Sequence, residues 1–232
     1  MKIVVFTDTH ANLPALKALN RDIRREGYDA AFHTGDAVGI GPWPAETVEF
    51  LGEIPRLTLL SGNHDAWMCG GLPKGAARWL EEHYAWLSAQ VSSRHLSAAA
   101  AWPCLTEHEF EGVRAAFVHY ALSDCGRQVS LPISEHIPSD LDALRGRHSS
   151  LMVFHGHRHK ASDLKGKVRY VNPGSLGCWH KPAARYAVIR FHKGKAVIQH
   201  KAVPYDETAL LKGFLDRKVP GARRILEAYF GR

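Results

Sequence analysis

The sequence predicts an α/β protein with two packed sheets and helices outside them, and three observations predict it. Strand and helix patterns alternate from the N-terminus to Leu60. A helix-rich stretch without strand signal follows over residues 72–101, and strand patterns dominate from Thr106 to Val203. Alternation of the first kind builds right-handed βαβ units and a parallel sheet. At 232 residues the chain carries one substantial core, so residues 1–232 are read as a single domain.

Each element has its own signal. Lys2–Thr7 is a short apolar, β-branched run, which reads as a buried strand. Asn12 is placed to cap a helix, with Pro14 in its first turn and Gly27 at its end. Leu13, Leu16, Leu19 and Ile23 follow helical spacing between them. Ala30–Thr34 and Arg56–Leu60 give two more strands around a helix at Ala45–Leu51. In the middle stretch Trp79, Tyr84, Trp86 and Leu87 form one apolar side, read as core or dimer surface in preference to a substrate platform. Thr106–Phe110 and Val113–Val118 form a hairpin about Glu111-Gly112. Leu151–Phe154, Val168–Val171, Arg185–Phe191 and Lys195–Val203 continue as strands, the last two joined by a turn at His192-Lys193-Gly194. Glu207–Phe230 reads as helix, broken at Pro220-Gly221.

Composition excludes several classes. Hydrophobic residues at 45% and charged residues at 23% are ordinary for a soluble globular chain. No run approaches the ~20 apolar residues of a membrane span. Ile3-Val4-Val5-Phe6 is too short for the apolar core of a signal peptide, so the expected location is cytoplasmic, with no membrane partner. Cys69, Cys104, Cys125 and Cys178 show no Cys-x-x-Cys spacing, which argues against a thiolate zinc site and for four separate thiols. The net charge of +7 favours anionic partners. A small-molecule phosphate ester or nucleotide is favoured over nucleic acid, and a homo-oligomer is compatible with the sequence.

The chemistry gathers at strand ends. The first strand runs out into Asp8-Thr9-His10, whose carboxylate and imidazole can converge because residues i and i+2 point the same way. The second ends in Gly35-Asp36, and the third in Gly62-Asn63-His64-Asp65. Val113–Val118 ends in His119, and Leu151–Phe154 runs into Gly156-His157-Arg158-His159. The carboxyl ends of parallel strands share one edge, where such folds build sites. Asp8, His10, Asp36, Asn63, His119, His157 and His159 are thereby brought together. These are too many ligands for one transition metal with open positions, and they suit two metals sharing a carboxylate. The glycines before Asp36, Asn63 and His157 allow tight turns without strain.

This ordered set resembles the calcineurin-like metallophosphoesterases, whose signature is Asp-x-His, Gly-Asp, Gly-Asn-His-Asp/Glu, a lone His, and Gly-His-x-His. The match covers most of residues 1–205, including a turn-like Val171-Asn172-Pro173-Gly174-Ser175. The resemblance implies a four-layer α/β/β/α sandwich, with the helical insertion around residues 72–101 outside it. It implies one metal on Asp8, His10 and His159, another on Asn63, His119 and His157, and Asp36 bridging them. The cofactors are then two divalent ions, Mn²⁺, Fe²⁺, Zn²⁺ or Co²⁺, with Mn²⁺ favoured for activity. The implied reaction is hydrolysis of a phosphate ester by a metal-bridging hydroxide, with His64 as the catalytic acid for the leaving oxygen.

One departure narrows the class. Protein Ser/Thr phosphatases and symmetrical diadenosine tetraphosphate hydrolases of this superfamily carry Gly-Asp-x-x-Asp-Arg-Gly, whereas here Gly39 and Ile40 replace the Asp-Arg pair. Loss of a bidentate arginine disfavours dianionic monoesters, and the run resembles the small prokaryotic phosphodiesterase branch. A dinucleoside polyphosphate hydrolase or phosphomonoesterase is the alternative, and a non-catalytic scaffold is a further one. Asp65 either bonds nearby backbone or orients His64. His155 is expected to point off the site and Arg158 away from the metals. Trp43, Trp67, Tyr120 and Trp179 lie near the motifs, where packing is favoured over base stacking. His33, His83, His95, His108, His136, His148, His180, His192 and His200 stay unassigned.

Overall fold

The computed structural model describes residues 1–119, 137–144 and 150–232. Tyr120, Cys125, His136 and His148 lie outside these. The N-terminal run forms β1 (Lys2–Phe6), and its side chains alternate between two cores. Val4 and Phe6 join the cluster beneath the helices, while Ile3 and Val5 join the cluster between the sheets, as the two-residue period of a strand dictates. The following helix α1 (Leu13–Glu26) buries Ala15, Leu16, Leu19 and Ile23. Its capping residue is Asn12, whose side chain accepts the Ala15 N–H at 3.1 Å. Gly27 ends it at φ 69°.

β2 (Ala30–His33), α2 (Pro44–Gly52) and β3 (Leu57–Leu59) complete the alternating segment. Helices α3 (Asn63–Gly70), α4 (Arg78–Gln90) and α5 (Ser93–Ala100) follow. The hairpin β4 (Leu105–Phe110) and β5 (Val113–Val118) turns at Glu111 and Gly112, both at positive φ, the backbone that a tight primed turn requires. After α6 (Pro138–Leu144) come β6 (Met152–Phe154), β7 (Ser162–Lys165) and β8 (Arg169–Asn172). The long pair β9 (Ala183–His192) and β10 (Lys195–Pro204) precedes α7 (Glu207–Asp216), α8 (Ala222–Ile225) and a π-helical turn at Leu226–Phe230.

Two five-stranded sheets run in the orders β10-β9-β1-β2-β3 and β4-β5-β6-β8-β7. β1, β2 and β3 are parallel, as the alternation predicts. β9 joins β1 antiparallel, however, so the first sheet is mixed rather than parallel. The second sheet is mixed too, with β5, β6 and β8 parallel between antiparallel edges β4 and β7. Between the sheets Phe32 stacks on Phe117, ring centroids 3.9 Å apart. Outside the first sheet lie α1, α2, α4 and α7, packed on Val4, Phe6 and Val188. Leu141 of α6 covers Ala116, Val118, Val153 and Tyr170 of the second. The order is helix, sheet, sheet, helix.

Two elements differ from expectation. The residues Asn63-His64-Asp65 open a helix rather than ending a strand, so their side chains radiate from a first helical turn. β7, Ser-Asp-Leu-Lys, carries no apolar pattern to announce it. In α4, Tyr84 and Leu87 are buried, and Trp79 and Trp86 pack against the same core. Among the described residues, Cys69 and Cys178 form no disulfide, and no helix is long and apolar enough to cross a membrane.

Candidate metal centre

The segments that follow β1, β2, β5 and β6 meet the first turn of α3 at one edge of the sheets. Backbone bonds stitch them together. The Asp8 N–H donates to the Gly35 carbonyl at 2.9 Å, that of His10 to Asp36 at 3.0 Å, and that of Gly156 to His119 at 2.9 Å. A parallel bridge between Thr7 and Ser175 ties the end of β1 to the segment that follows β8. Asp8, His10, Asp36, His157 and His159 all hold positive φ, between 48° and 72°. Non-glycine residues seldom adopt this region, and such strain concentrates at functional sites.

The sequence places that burden on the preceding glycines, and the structure places much of it on the candidate ligands themselves. Gly35 does lie at φ 103°. Gly62 and Gly156 are required instead by close approach. A Cβ at Gly62 would sit 2.1 Å from Asp36 Oδ1, and one at Gly156 2.0 Å from Thr7 Oγ1.

All seven expected residues converge. His10 Nε2 and His159 Nε2 are 2.9 Å apart, with Asp8 Oδ1 at 3.7 Å from the first and 3.6 Å from the second. His119 Nε2 lies 3.1 Å from Asp36 Oδ2, and His157 Nδ1 lies 3.1 Å from Asn63 Oδ1. Asp36 Oδ2 is also 3.8 Å from His10 Nε2, so this carboxylate stands between the two groups. The donor atoms of Asp8, His10 and His159 lie within 4.8 Å of one another, as do those of Asp36, His119 and His157. A third such trio, His10, Asp36 and His64, brings His64 close to the same shell.

The electrostatics fit a cation. Asp8 and Asp36 are buried to 0% and 2% exposure, where uncompensated carboxylates are costly. Burial raises the Asp8 pKa to about 7, with His119 opposing and Asp36 adding to the rise. Burial works against Asp36 too, but His119 and His64 hold its carboxyl well below the usual range. His119 is raised to about 9: burial opposes this, and the Asp36 charge with its hydrogen bond overcomes it. A proton on His119 thus supplies positive charge where a metal would. Burial drives His10 down to about 3 and His159 well below its ordinary value. His10 Nδ1–H donates to the Val38 carbonyl at 3.1 Å, and His119 Nδ1–H to that of Thr34 at 2.9 Å. Carbonyl partners of this kind turn Nε2 toward a metal. Imidazoles, carboxylates and an amide oxygen make a mixed donor set that suits a divalent metal ion, with the His119 proton displaced on binding.

Beside the cradle, the His64 N–H donates to Asp36 Oδ1 at 2.8 Å. Asp65 takes the backbone role: it accepts the N–H groups of Asp36, Ala37, Val38 and Gly62, at 2.8 to 3.2 Å. The partner of the His64 ring is Tyr84, whose hydroxyl lies 2.7 Å from Nδ1. A cavity of about 340 Å³ opens over Asp36, His64, His157 and His159, walled by Trp179 and Tyr229. Arg158 is exposed and lines this cavity, as does His180. Trp43 packs on Gly213 of α7, and Trp67 lies against the His64 ring, centroids 4.9 Å apart. Buried His33 meets Thr9 at 3.0 Å. Tyr84, His180 and Tyr229 carried no motif. A hydroxyl inside an apolar helical stripe was the single sequence signal for Tyr84.

A family model described as a calcineurin-like phosphoesterase superfamily domain matches residues 1–194. The chain is 31% identical over 236 residues to an uncharacterized protein of Methanocaldococcus jannaschii, covering 94% of this chain and 93% of the relative. A hypothetical protein from Pyrococcus horikoshii OT3 superposes with a TM-score of 0.82 at 17% identity, over 100% of this chain and 98% of the other. A metallophosphoesterase from Sphaerobacter thermophilus gives a TM-score of 0.71 at 21% identity, over 97% of each chain. At these identities the structural likeness speaks to the fold.

Proposed function

The chain belongs to the calcineurin-like phosphoesterase superfamily, and from that premise we propose that it is a dinuclear-metal phosphodiesterase acting on a small phosphate diester or nucleotide. The observation that carries this reading is the pair of donor trios, Asp8-His10-His159 and Asp36-His119-His157, beneath one open cavity. Asp8, His10 and His159 would hold one ion and Asn63, His119 and His157 the other, with the Asp36 carboxylate placed to serve both. When bound, two such ions supply charge to the phosphoryl oxygens and a water acidified toward a pKa of ~7. Mn²⁺ is the favoured metal.

The chain's own residues do the rest. His64 lines the cavity with Nδ1 engaged by Tyr84, which leaves Nε2 to hold a proton for the leaving oxygen. Ile40 also lines the cavity. An aliphatic side chain there gives a dianionic monoester no bidentate partner, which supports a diester substrate. A dinucleoside polyphosphate is the second reading, favoured by a cationic residue, Arg158, in the cavity wall. The scaffold reading is disfavoured, because every candidate ligand and His64 are present and assembled.

Purified protein with added Mn²⁺ is the test. The expected result is a kcat/KM for bis-p-nitrophenyl phosphate at least ~10-fold above that for p-nitrophenyl phosphate, about 1.4 kcal/mol of preference. A preference for the monoester or for diadenosine polyphosphates moves the protein to those classes. Absence of hydrolysis on all three, with metal bound, leaves the scaffold.

A further inference from the structure

The helical insertion reaches into the site through one side chain. Tyr84, on α4, is 5% exposed. Its hydroxyl sits 2.7 Å from His64 Nδ1 and 3.3 Å from the His64 carbonyl oxygen. The phenol is wedged by Trp67 and His83, ring centroids 6.0 and 5.9 Å away, each inclined at 69°. α4 is itself tied to the C-terminal segment: Trp86 Nε1–H donates to the Arg217 carbonyl at 3.2 Å, and His83 Nδ1 meets that of Pro220 at 3.2 Å. The hydroxyl therefore has little freedom to leave.

The opposite flank of the ring is equally constrained. Gly39 lies at φ 111°, and a Cβ there would stand 2.1 Å from His64 Nδ1. This is the position at which the Gly-Asp-x-x-Asp-Arg-Gly chains carry an aspartate. Here the space beside Nδ1 belongs to the imidazole, and its polar partner arrives from a different element.

We propose that Tyr84 is the positioning residue for His64, its hydroxyl donating to Nδ1 so that the neutral ring carries its one proton on Nε2, facing the cavity. The inference rests on the phosphoesterase reading above for its consequence in turnover, but not for the tautomer. A neutral imidazole has one N–H, and which nitrogen bears it is set by the partner of the other. Burial, with the charges of Asp36 and Asp65 behind it, pushes the Tyr84 pKa well above its ordinary value, so the phenol keeps its proton to donate. A carboxylate at that nitrogen would favour a doubly protonated ring. A phenol donating to Nδ1 leaves Nε2 as the N–H of the ring, a hydrogen-bond donor directed into the cavity.

The test is Tyr84→Phe in the full chain, which keeps the ring and its packing. ¹⁵N NMR of the Zn²⁺-loaded protein, with His64 assigned by signal loss in His64→Gln, should show Nε2–H and an unprotonated Nδ1 in the wild type. In the variant the two tautomers should mix. With Mn²⁺ bound, kcat for a diester with an alkyl leaving group should fall ~10–100-fold, a little under the ~10²–10³ lost when a preorganised donor to developing oxyanion charge is removed outright. KM and bound metal should be unchanged, and p-nitrophenyl esters little affected. A wild-type ring protonated at Nδ1 alone overturns the proposal, even if the variant fails to fold. So does a variant with unchanged tautomer and unchanged leaving-group dependence. If the wild type hydrolyses no ester, the phosphoesterase reading fails, and the His64 tautomer still decides for or against Tyr84.

Discussion

The two walls of the cavity are built by different means. The floor consists of strand-end residues, Asp8, His10, Asp36, His119, His157 and His159, held by backbone bonds between loops and by left-handed conformations. The mouth is made of side chains from packed helices and the C-terminal turn, with Tyr84 behind His64 and Tyr229 beside His159, ring centroids 5.8 Å apart. A floor fixed by backbone tolerates little change, because each ligand's direction depends on its own φ. A wall fixed by side-chain packing can vary while the fold persists. Substitutions in the floor should abolish chemistry, and those in the mouth should tune it.

The largest effect should come from Asp36, the carboxylate that stands between the two groups. Asp36→Asn removes the charge between the two groups, and should lower kcat/KM by ~10³-fold or more, the several kcal/mol that metal ions contribute to phosphoryl transfer. Metal analysis should show fewer than two ions per chain, with circular dichroism unchanged. Two bound ions and normal turnover in this variant would remove the distinction between floor and mouth.

His64 lies at the junction of the two walls, so its replacement separates them. His64→Ala should keep both ions and lower kcat by ~10²–10⁴ on esters with poor leaving groups, with a smaller loss on p-nitrophenyl esters. Loss of an ion would instead assign His64 to the floor, as its grouping with His10 and Asp36 allows. A gentler probe is Gly39→Ala, whose methyl collides with the His64 ring. It should cost ~1–3 kcal/mol of stability, read as a lower denaturation midpoint. Retained metal and a leaving-group dependence shifted toward that of His64→Ala should accompany it.

The contrast between the walls also explains what the sequence could tell. The floor was legible because its residues sit in short motifs at the ends of strands with clear apolar periodicity, and α1 announced itself through Asn12, Pro14 and Gly27. α3 was not legible: of its residues only Asn63, Asp65 and Met68 are buried, too few to set a helical period. β7 is polar, and the antiparallel place of β9 beside β1 depends on pairing across the whole chain, which leaves no local trace. Tyr84 carried a helical signal of the right kind, and that signal reported burial alone. Its contact with His64 arises only when α4 packs onto α3. Asp65 stood open between two roles because four backbone donors from two loops had to meet around it before either could be chosen.

The smallest effect probes the floor in chelator-treated protein. Burial depresses His10 and His33 to about 3 and His64 to about 4, and lowers His83 and His159 as well. In the unfolded chain these titrate near ~6.5. Below that pH the unfolded chain binds protons that the folded chain refuses, so their contribution makes stability fall as the pH drops toward ~4. Asp8 and Asp65, both raised to about 7 chiefly by burial, act the other way. Their contribution is complete below ~3.9 and is lost as pH rises through about 7. The depressed histidines outnumber the raised carboxylates, so the acid limb should still slope downward. On the alkaline side His119, held at about 9 against burial by Asp36, contributes stability that is full below ~6.5 and lost as pH rises through about 9. The melting temperature of chelator-treated protein should therefore peak near pH ~6.5 and decline on both sides. Zn²⁺ should erase the alkaline decline, because metal replaces the His119 proton and binds more tightly as pH rises. A metal-free melting temperature that climbs without a break to pH ~9 would mean that Asp36 does not hold a proton on His119. The charge that the floor demands would then have to be met elsewhere.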